Sequence, residues 1–239
     1  MNYNETIEAI RQACNTINLS YTDTDCDDGR IASAVKEKEY LDALDIELKQ
    51  KHPYILIERP KERWWYDVRI NLIPINLKLT TGGTDNAFNK VAIIYTLTGH
   101  ETSKKNMNYD VWYSALKSAP RKQVRDHATE YHYLVVNKND GQILLKSILD
   151  IHTYKTNPCN ILQINWTSEF KNREFAILDQ NFREKEGELL KAIQKSIIQS
   201  IRSMTLFANA NLDDECEEEV DVIVPTLEPS HSTIASDPL

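Results

Sequence analysis

Long apolar runs are absent from this chain of 239 residues. No stretch approaches the roughly 18 consecutive apolar residues of a membrane-spanning helix. The N-terminal stretch MNYNETIEAIRQACN also lacks the basic and then apolar pattern of a secretion signal. We therefore expect a cytoplasmic protein.

Cysteine is scarce, and the motifs of several enzyme classes are missing. The four cysteines form no C-x-x-C pair and have no histidine at zinc-ligand spacing, which argues against a disulfide framework or a zinc module. The histidines show no nucleophile–base arrangement. The glycines of TTGGTDN lack the G-x4-G-K-[ST] spacing of a P-loop.

The net charge of −8 is unevenly distributed. Nine of the 36 acidic residues lie in residues 208–239, which contain no Lys or Arg, so the body of the chain carries 27 acids and 28 bases. A near-neutral body can still present a local basic face to a nucleic acid. We expect one domain over residues 1–207 and a disordered acidic tail over 208–239.

Hydrophobic periodicity predicts helices that flank a mixed sheet, which is an α/β fold. The expected elements are helices at 4–18, 31–50, about 84–99 and 184–207, and strands within 54–60, 67–72, 75–80, 130–136, 143–149 and 160–166. The third helix is expected to start with Thr84 or Asp85 as N-cap and to end at Gly99. A connection through Ile73 and Pro74 is expected to join the second and third strands.

Polar side chains interrupt the apolar segment RWWYDVRINLIPINLKLTTGGTDN, residues 63–86. Asp67 lies on the first strand, and Asn76 and Lys78 share one face of the second, because side chains two residues apart point the same way. If these strands pair antiparallel, Asp67 lies near the level of Asn76 and Lys78. The three polar groups then converge.

A carboxylate also interrupts the apolar stripe of the preceding helix. At about 100° per residue, Glu37 falls in the centre of the stripe formed by Tyr40, Leu41, Leu44 and Leu48, whereas Glu39 points away. Burial of a charged carboxylate among apolar side chains costs free energy, which a nearby divalent cation or lysine can offset.

Two carboxylates and a lysine suit phosphodiester hydrolysis. Carboxylates bind Mg²⁺ through hard oxygen ligands, and the ion polarises a phosphoryl oxygen and acidifies water. A lysine can position that water and stabilise the negative charge of the transition state. The same residues also fit an ordinary surface, in which Glu37 forms an ion pair at the helix edge and Lys78 covers the solvent face of a sheet.

The stretch YDVRINLIPINLKLTTGGTDNAFNK resembles the catalytic hairpin of type II restriction endonucleases of the PD-(D/E)XK nuclease superfamily. Asp67 matches the aspartate, Asn76 stands where Asp or Glu is usual, and Lys78 matches the lysine. The segments GRIASAVKEKEYLDAL and NPCNILQINW are similar to other segments of such enzymes, the first to a helix that supplies an additional acid. The resemblance covers about residues 29–170, which would be the catalytic core. It implies a restriction-endonuclease-like mixed β-sheet flanked by helices, with Mg²⁺ as cofactor.

This sequence departs from the family pattern at two positions. Tyr66 replaces a proline that is not a ligand, and Asn76 replaces an acid. We expect Glu37 to supply the missing carboxylate, with Asp67 and the main-chain carbonyl of Leu77 completing the metal ligands. Glu39 and Glu58 remain the alternatives to Glu37.

Candidate DNA contacts come from two segments. The turn residues Gly82 and Gly83 permit close approach to a groove, while Thr84, Asp85 and Asn86 can hydrogen-bond phosphate or base, assisted by Lys90. The basic segment 100–127 offers cations interleaved with aromatic side chains, which suits phosphate contact. Its candidates are Lys104, Lys105, Arg121, Lys122 and Arg125.

The resemblance implies a type II site-specific deoxyribonuclease that cleaves double-stranded DNA to leave 5′-phosphate and 3′-hydroxyl ends. It also implies a homodimer and, as a genetic partner, a cognate DNA methyltransferase of a restriction-modification system. Two alternatives remain open, a repair or junction-resolving nuclease and a catalytically degenerate nuclease fold that only binds DNA.

Overall fold

The computed structural model describes residues 1–19, 29–61, 64–81, 89–102, 107–155, 162–172 and 182–208. Apart from Ala208, which is the last residue of a helix, the predicted tail lies outside these residues. By internal contacts the chain divides into one unit of residues 1–201 and a second of residues 202–239. None of the helices in the described ranges is long and apolar enough to cross a membrane.

The fold is α/β, with a mixed five-stranded sheet flanked by helices, as the sequence predicts. The helices are α1 (Tyr3–Thr16), α2 (Gly29–Lys51), α3 (Lys90–Thr98), α4 (Tyr109–Ser118), α5 (Trp166–Lys171) and α6 (Phe182–Ala208). The strands are β1 (Ile57–Glu58), β2 (Val68–Ile70), β3 (Ile73–Thr80), β4 (His132–Asn137), β5 (Ile143–Ser147), β6 (Tyr154–Lys155) and β7 (Gln163–Ile164).

The sheet has the strand order β1-β2-β3-β4-β5. Among the described strands, only β3 and β4 pair in parallel, and the chain between them crosses over through α3 and α4. The other neighbours pair antiparallel, while β6 and β7 form a separate two-stranded sheet.

Alternation of side chains along the central strands divides the core into two layers. Ile75, Leu77 and Leu79 of β3 pack with α1 and α2 on one face of the sheet. Tyr133 and Val135 of β4 face the other layer, which contains residues of α3, α4, α5 and α6. Both faces of the sheet are thus covered by helices.

The hairpin between β2 and β3 turns two residues earlier than predicted. Ile70 pairs with Ile73, so the connection is the two-residue turn Asn71–Leu72, and both residues have positive φ, as a type I′ turn requires. Pro74 is part of β3. Because Pro74 precedes the first residue pair of β3 and β4, its missing N–H removes no hydrogen bond of that ladder.

The expected strand at 54–60 is reduced to Ile57–Glu58, which is a correction to the sequence interpretation. Leu56 exchanges hydrogen bonds with Asn71 of the hairpin turn: its N–H donates to Asn71 Oδ1 and its carbonyl accepts from Asn71 N–H. Tyr54 and Leu56 are exposed, whereas Ile55 between them is buried in the core.

The start of α3 is also corrected. The Asn89 side chain accepts hydrogen bonds from the N–H groups of Val91 and Ala92, which makes Asn89 the N-cap. The end of the helix is as predicted, because Gly99 has φ +76° at the C-cap. The helix is fully buried from Val91 to Thr98.

The expected strand at 160–166 does not extend to Trp166. Asn165 caps α5 by accepting a hydrogen bond from Ser168 N–H, so Trp166 is already helical. Residues 160 and 161 lie outside the described ranges, and only Gln163–Ile164 is a strand.

Candidate active site

The candidate site lies along one edge of β3. The β2–β3 ladder stops at Val68 and Ile75, although Asp67 N–H still donates to the Ile75 carbonyl at 2.9 Å. Within the described ranges, β3 beyond Ile75 has no strand partner on this side. Two carboxylates instead accept hydrogen bonds from main-chain groups of this edge: Asp67 from Leu77 and Glu37 from Leu79.

Asp67 is held to β3 by one of its oxygens. Its Oδ2 accepts from Leu77 N–H at 2.8 Å and from Asn76 Nδ2 at 2.7 Å. Burial raises the pKa of Asp67, although Lys78, the Leu77 N–H and Arg59 oppose that shift. The anion is therefore stabilised by nearby donors and cations, yet not enough to offset its loss of water.

Glu37 reaches the same edge from α2. The apolar stripe of α2 is buried as predicted, and this orientation directs Glu37 toward the sheet. Burial raises the pKa of Glu37; Lys78 opposes the shift, and the negative charge of Asp67 adds to it. A hydrogen bond from the Leu79 main chain also favours the charged form.

Lys78 completes the group. Its Nζ lies 3.7 Å from Glu37 Oε1, and its charge acts on Asp67 as well. The side chain is 22% exposed, so it lies at the rim of the core with access to solvent. A hydrogen bond, an ion pair and charge interactions thus connect Glu37, Asp67, Asn76 and Lys78.

The two carboxylates of the candidate site form a donor set of the kind that Mg²⁺ uses in proteins. No three His, Cys, Asp or Glu side chains in the described ranges are grouped to enclose a metal. Mg²⁺, however, is usually held by one or two carboxylates together with substrate phosphates and waters. Asp67 and Glu37 supply two carboxylates whose repulsion a cation would relieve.

The Leu77 carbonyl is a suitable third ligand. In a β-strand the N–H and C=O of one residue point in the same direction. Since Leu77 N–H points to Asp67, its carbonyl opens onto the same strand edge.

The alternatives to Glu37 have other partners. Glu39 forms an exposed ion pair with Lys36 at 2.9 Å. Glu58 lies 3.8 Å from Arg69 and accepts a hydrogen bond from the Tyr66 hydroxyl at 3.5 Å.

Three of the residues predicted to contact DNA have side chains that bond to other groups of the protein. Lys90 Nζ donates to the Met107 carbonyl at 2.7 Å and lies 3.8 Å from the centroid of the Tyr109 ring. Lys122 Nζ donates to Thr129 Oγ1 at 2.5 Å. Arg121 pairs with Glu186 of α6 at 2.6 Å and donates to the Leu116 carbonyl.

The prediction that Arg125 contacts DNA is wrong, because the Arg125 side chain is buried. Its side chain is 3% exposed and donates to both carboxylate oxygens of Glu130 and to Asp150, at 2.7 to 3.1 Å. A guanidinium buried in this way has no surface for a phosphate. Arg125 therefore stabilises the fold rather than contacting DNA.

The remaining predicted contacts lie outside the described residues. These are Gly82, Gly83, Thr84, Asp85, Asn86, Lys104 and Lys105.

Two residues that affect the position or the charge of Asp67 were not predicted from the sequence. Asn89 Nδ2 donates to the Trp65 carbonyl at 2.7 Å, which fixes the chain two residues before Asp67. The positive charge of Arg59 opposes the rise in the pKa of Asp67 that burial causes. An Asn before an apolar helix is a recognisable cap signal, but the contact of Asn89 with Trp65 depends on tertiary structure.

Comparison of the chain with protein-family models, with curated proteins and with solved structures finds no match in any of the three.

Proposed function

We propose that this protein is a Mg²⁺-dependent type II restriction endonuclease of the PD-(D/E)XK superfamily that hydrolyses double-stranded DNA at a specific sequence. The observation that carries the proposal is the convergence of Glu37, Asp67 and Lys78 at the open edge of β3. The hairpin that presents an acid and a lysine, and the helix that adds a second acid, are the parts the sequence resemblance implies.

Each residue has a distinct role. Asp67, Glu37 and the Leu77 carbonyl would hold the ion at the strand edge. The chemistry that Mg²⁺ supplies there when bound is polarisation of the phosphodiester and of water. Lys78 positions the attacking water and stabilises the charge that develops on the phosphoryl oxygens. Water oxygen forms the new bond to phosphorus as the bond to the 3′ oxygen breaks, which leaves a 5′-phosphate and a 3′-hydroxyl.

The test is incubation of the purified protein with phage DNA, with and without Mg²⁺. We expect discrete fragments only with Mg²⁺, and none from Asp67→Ala or Lys78→Ala. Lys49→Ala is the matched control, because Lys49 pairs with Asp45 in an i,i+4 ion pair on the surface of α2. Unchanged cleavage by Asp67→Ala would refute the assignment of the site.

The product pattern separates this function from the other nuclease function. Discrete bands from linear duplex DNA support restriction. Cleavage confined to four-way junctions or damaged duplexes would instead indicate a junction-resolving or repair enzyme.

One observation favours a non-enzymatic alternative. Asn76 stands where the family has an acid, and its amide donates to Asp67 instead of adding a charge. A catalytically degenerate nuclease fold that only binds DNA would shift DNA in a gel with or without Mg²⁺ and leave it intact.

The partners follow from the proposed reaction. A palindromic site would be matched by a homodimer, which sedimentation of the protein with its DNA tests. The proposed location is the cytoplasm, where a cognate methyltransferase would protect the host DNA. A gene for such a methyltransferase next to that of this protein would support the assignment.

A further inference from the structure

Asn76 lies beside Asp67 in the candidate site and binds it directly. The distance from Asn76 Nδ2 to Asp67 Oδ2 is 2.7 Å, which is short for an amide donor and typical of a hydrogen bond to a charged acceptor. Asn76 is part-buried on β3, so its side chain has few alternative positions.

The orientation of the amide is fixed by chemistry. An ionised carboxylate only accepts hydrogen bonds, so Asn76 must present its NH₂ group to Asp67 and direct its oxygen elsewhere. Leu77 N–H donates to the same Oδ2. Two donors thus occupy Oδ2, and no donor among the described residues binds Oδ1.

This arrangement assigns different tasks to the two oxygens of Asp67. Oδ2 anchors the side chain to β3. Oδ1, which accepts from no donor in the described part of the chain, is available to an ion. A carboxylate held in this way does not need to lose rotational freedom when the ion binds.

An acid at position 76 would create a different site. Its oxygen would lie about as close to Asp67 Oδ2 as the amide nitrogen does now, and two carboxylates in contact repel each other unless one is protonated or a cation lies between them. With Glu37 already adding a carboxylate from α2, the amide avoids a third negative charge on one ion.

We infer that Asn76 is a positioning residue, which holds Asp67 so that Oδ1 faces the divalent cation, and is not itself a ligand of that cation. This inference rests on the proposed function. It changes the role of Asn76 from a weak substitute for the usual acid to a support for Asp67, with Glu37 as the second charged ligand.

The experiment is Mn²⁺ binding to the full-length protein, followed by electron paramagnetic resonance. We expect Asn76→Ala to weaken Mn²⁺ binding by about 10- to 100-fold, the range for the loss of a group that orients a metal ligand. The control is Asn15→Ala, an exposed asparagine of α1, which should bind Mn²⁺ like the wild type.

Cleavage kinetics distinguish positioning from catalysis. In Asn76→Ala the Mg²⁺ concentration at half-maximal rate should rise by the same factor, while KM for DNA stays constant and excess Mg²⁺ restores most of kcat. Loss of kcat that excess Mg²⁺ does not restore would overturn the inference. Thermal unfolding of the metal-free wild type and of metal-free Asn76→Ala verifies that the variant is folded.

The outcomes separate the two claims. Equal Mn²⁺ affinity in wild type and Asn76→Ala overturns the role of Asn76 and leaves the nuclease proposal intact. If the wild type binds no Mn²⁺ with or without DNA, the proposed function fails, and the inference fails with it.

Discussion

Lys78 Nζ lies 3.7 Å from Glu37 Oε1. Lys78 belongs to β3, whereas Glu37 belongs to α2, which packs on the sheet face formed by Leu77 and Leu79. The pair forms because α2 directs its apolar stripe at the sheet and carries Glu37 to the open edge of β3. Lys78 therefore balances Glu37 in the metal-free protein. A bound cation would take over part of this role.

Glu37→Gln should nearly abolish Mg²⁺-dependent DNA cleavage. The change removes one of the two proposed charged ligands. We expect the rate to fall by about two orders of magnitude or more, which is the scale for losing one electrostatic group of a reacting site. Initial rates on plasmid DNA at saturating Mg²⁺ measure it. Glu39→Gln on the same helix is the control, and a greater loss from Glu39→Gln would reassign the second carboxylate.

Divalent cations should stabilise the fold through the same site. Binding to the native state alone adds about 2.7 kcal/mol of unfolding free energy at 100 times the dissociation constant. Urea unfolding of the DNA-free protein with and without Ca²⁺, used in place of Mg²⁺, measures this gain in unfolding free energy. Stabilisation that persists in Asp67→Ala would place the ion elsewhere.

Arg125→Met should destabilise the protein by about 3 to 5 kcal/mol, because it leaves two buried carboxylates, Glu130 and Asp150, without their cation. Urea unfolding gives the free energy. Lys117→Met, at an exposed position of α4, is the control and should change the free energy of unfolding by less than about 0.5 kcal/mol. A mild effect of Arg125→Met would contradict a structural role for Arg125.

The stability of the fold should decrease as the pH falls from about 6.5 toward 4. His132 is fully buried, its Nδ1 bonds to the Glu130 carbonyl and its Nε2 to the Tyr3 hydroxyl, and burial lowers its pKa to about 4. Below the ordinary histidine pKa of about 6.5 the unfolded chain takes up a proton that the folded chain excludes. The neutral imidazole thus contributes stability that is present above that pH and is lost below it.

The size of this loss is about 3 kcal/mol, at 1.36 kcal/mol per pKa unit. The lowered pKa of Glu130 adds a loss of the same sign at lower pH. Urea unfolding at successive pH values measures both, and His132→Gln should flatten the upper part of the curve. The exposed His152→Gln should leave the slope unchanged, and an equal change in both variants would refute the assignment to His132.

Leu72→Gly should stabilise the hairpin that carries the site. Leu72 has φ +73° and is 65% exposed, and a left-handed conformation costs an L-residue about 1 to 2 kcal/mol. Glycine loses part of that gain to its own entropy, which leaves about 0.5 to 1 kcal/mol. Thermal unfolding measures it; if Leu72→Ala stabilises as much, exposure of the apolar side chain rather than backbone strain is responsible.

Local patterns predicted the parts of the site that depend on one element. The period of two places Asn76 and Lys78 on one side of β3, and the helical period places Glu37 with the apolar face of α2. From these two periodicities and an antiparallel hairpin, the sequence predicts that Asp67, Asn76 and Lys78 lie close together and that Glu37 faces the sheet.

Tertiary contacts determined what the sequence did not show. Leu is unusual at positive φ, so nothing in Asn71–Leu72 outweighed the turn signal of Pro74. Arg121 and Arg125 are basic residues in a polar segment, and their partners Glu186 and Asp150 lie 65 and 25 residues away. A basic composition therefore did not distinguish cations that support the fold from cations available to DNA.

The most direct test is a crystal structure of the protein with Mn²⁺ and uncleaved DNA, in which anomalous scattering locates the ion. The account predicts one peak at the open edge of β3, within coordination distance of Asp67 Oδ1, a Glu37 oxygen and the Leu77 carbonyl, with Lys78 released toward the phosphate. A fully occupied ion bound away from Glu37 and Asp67 would contradict it.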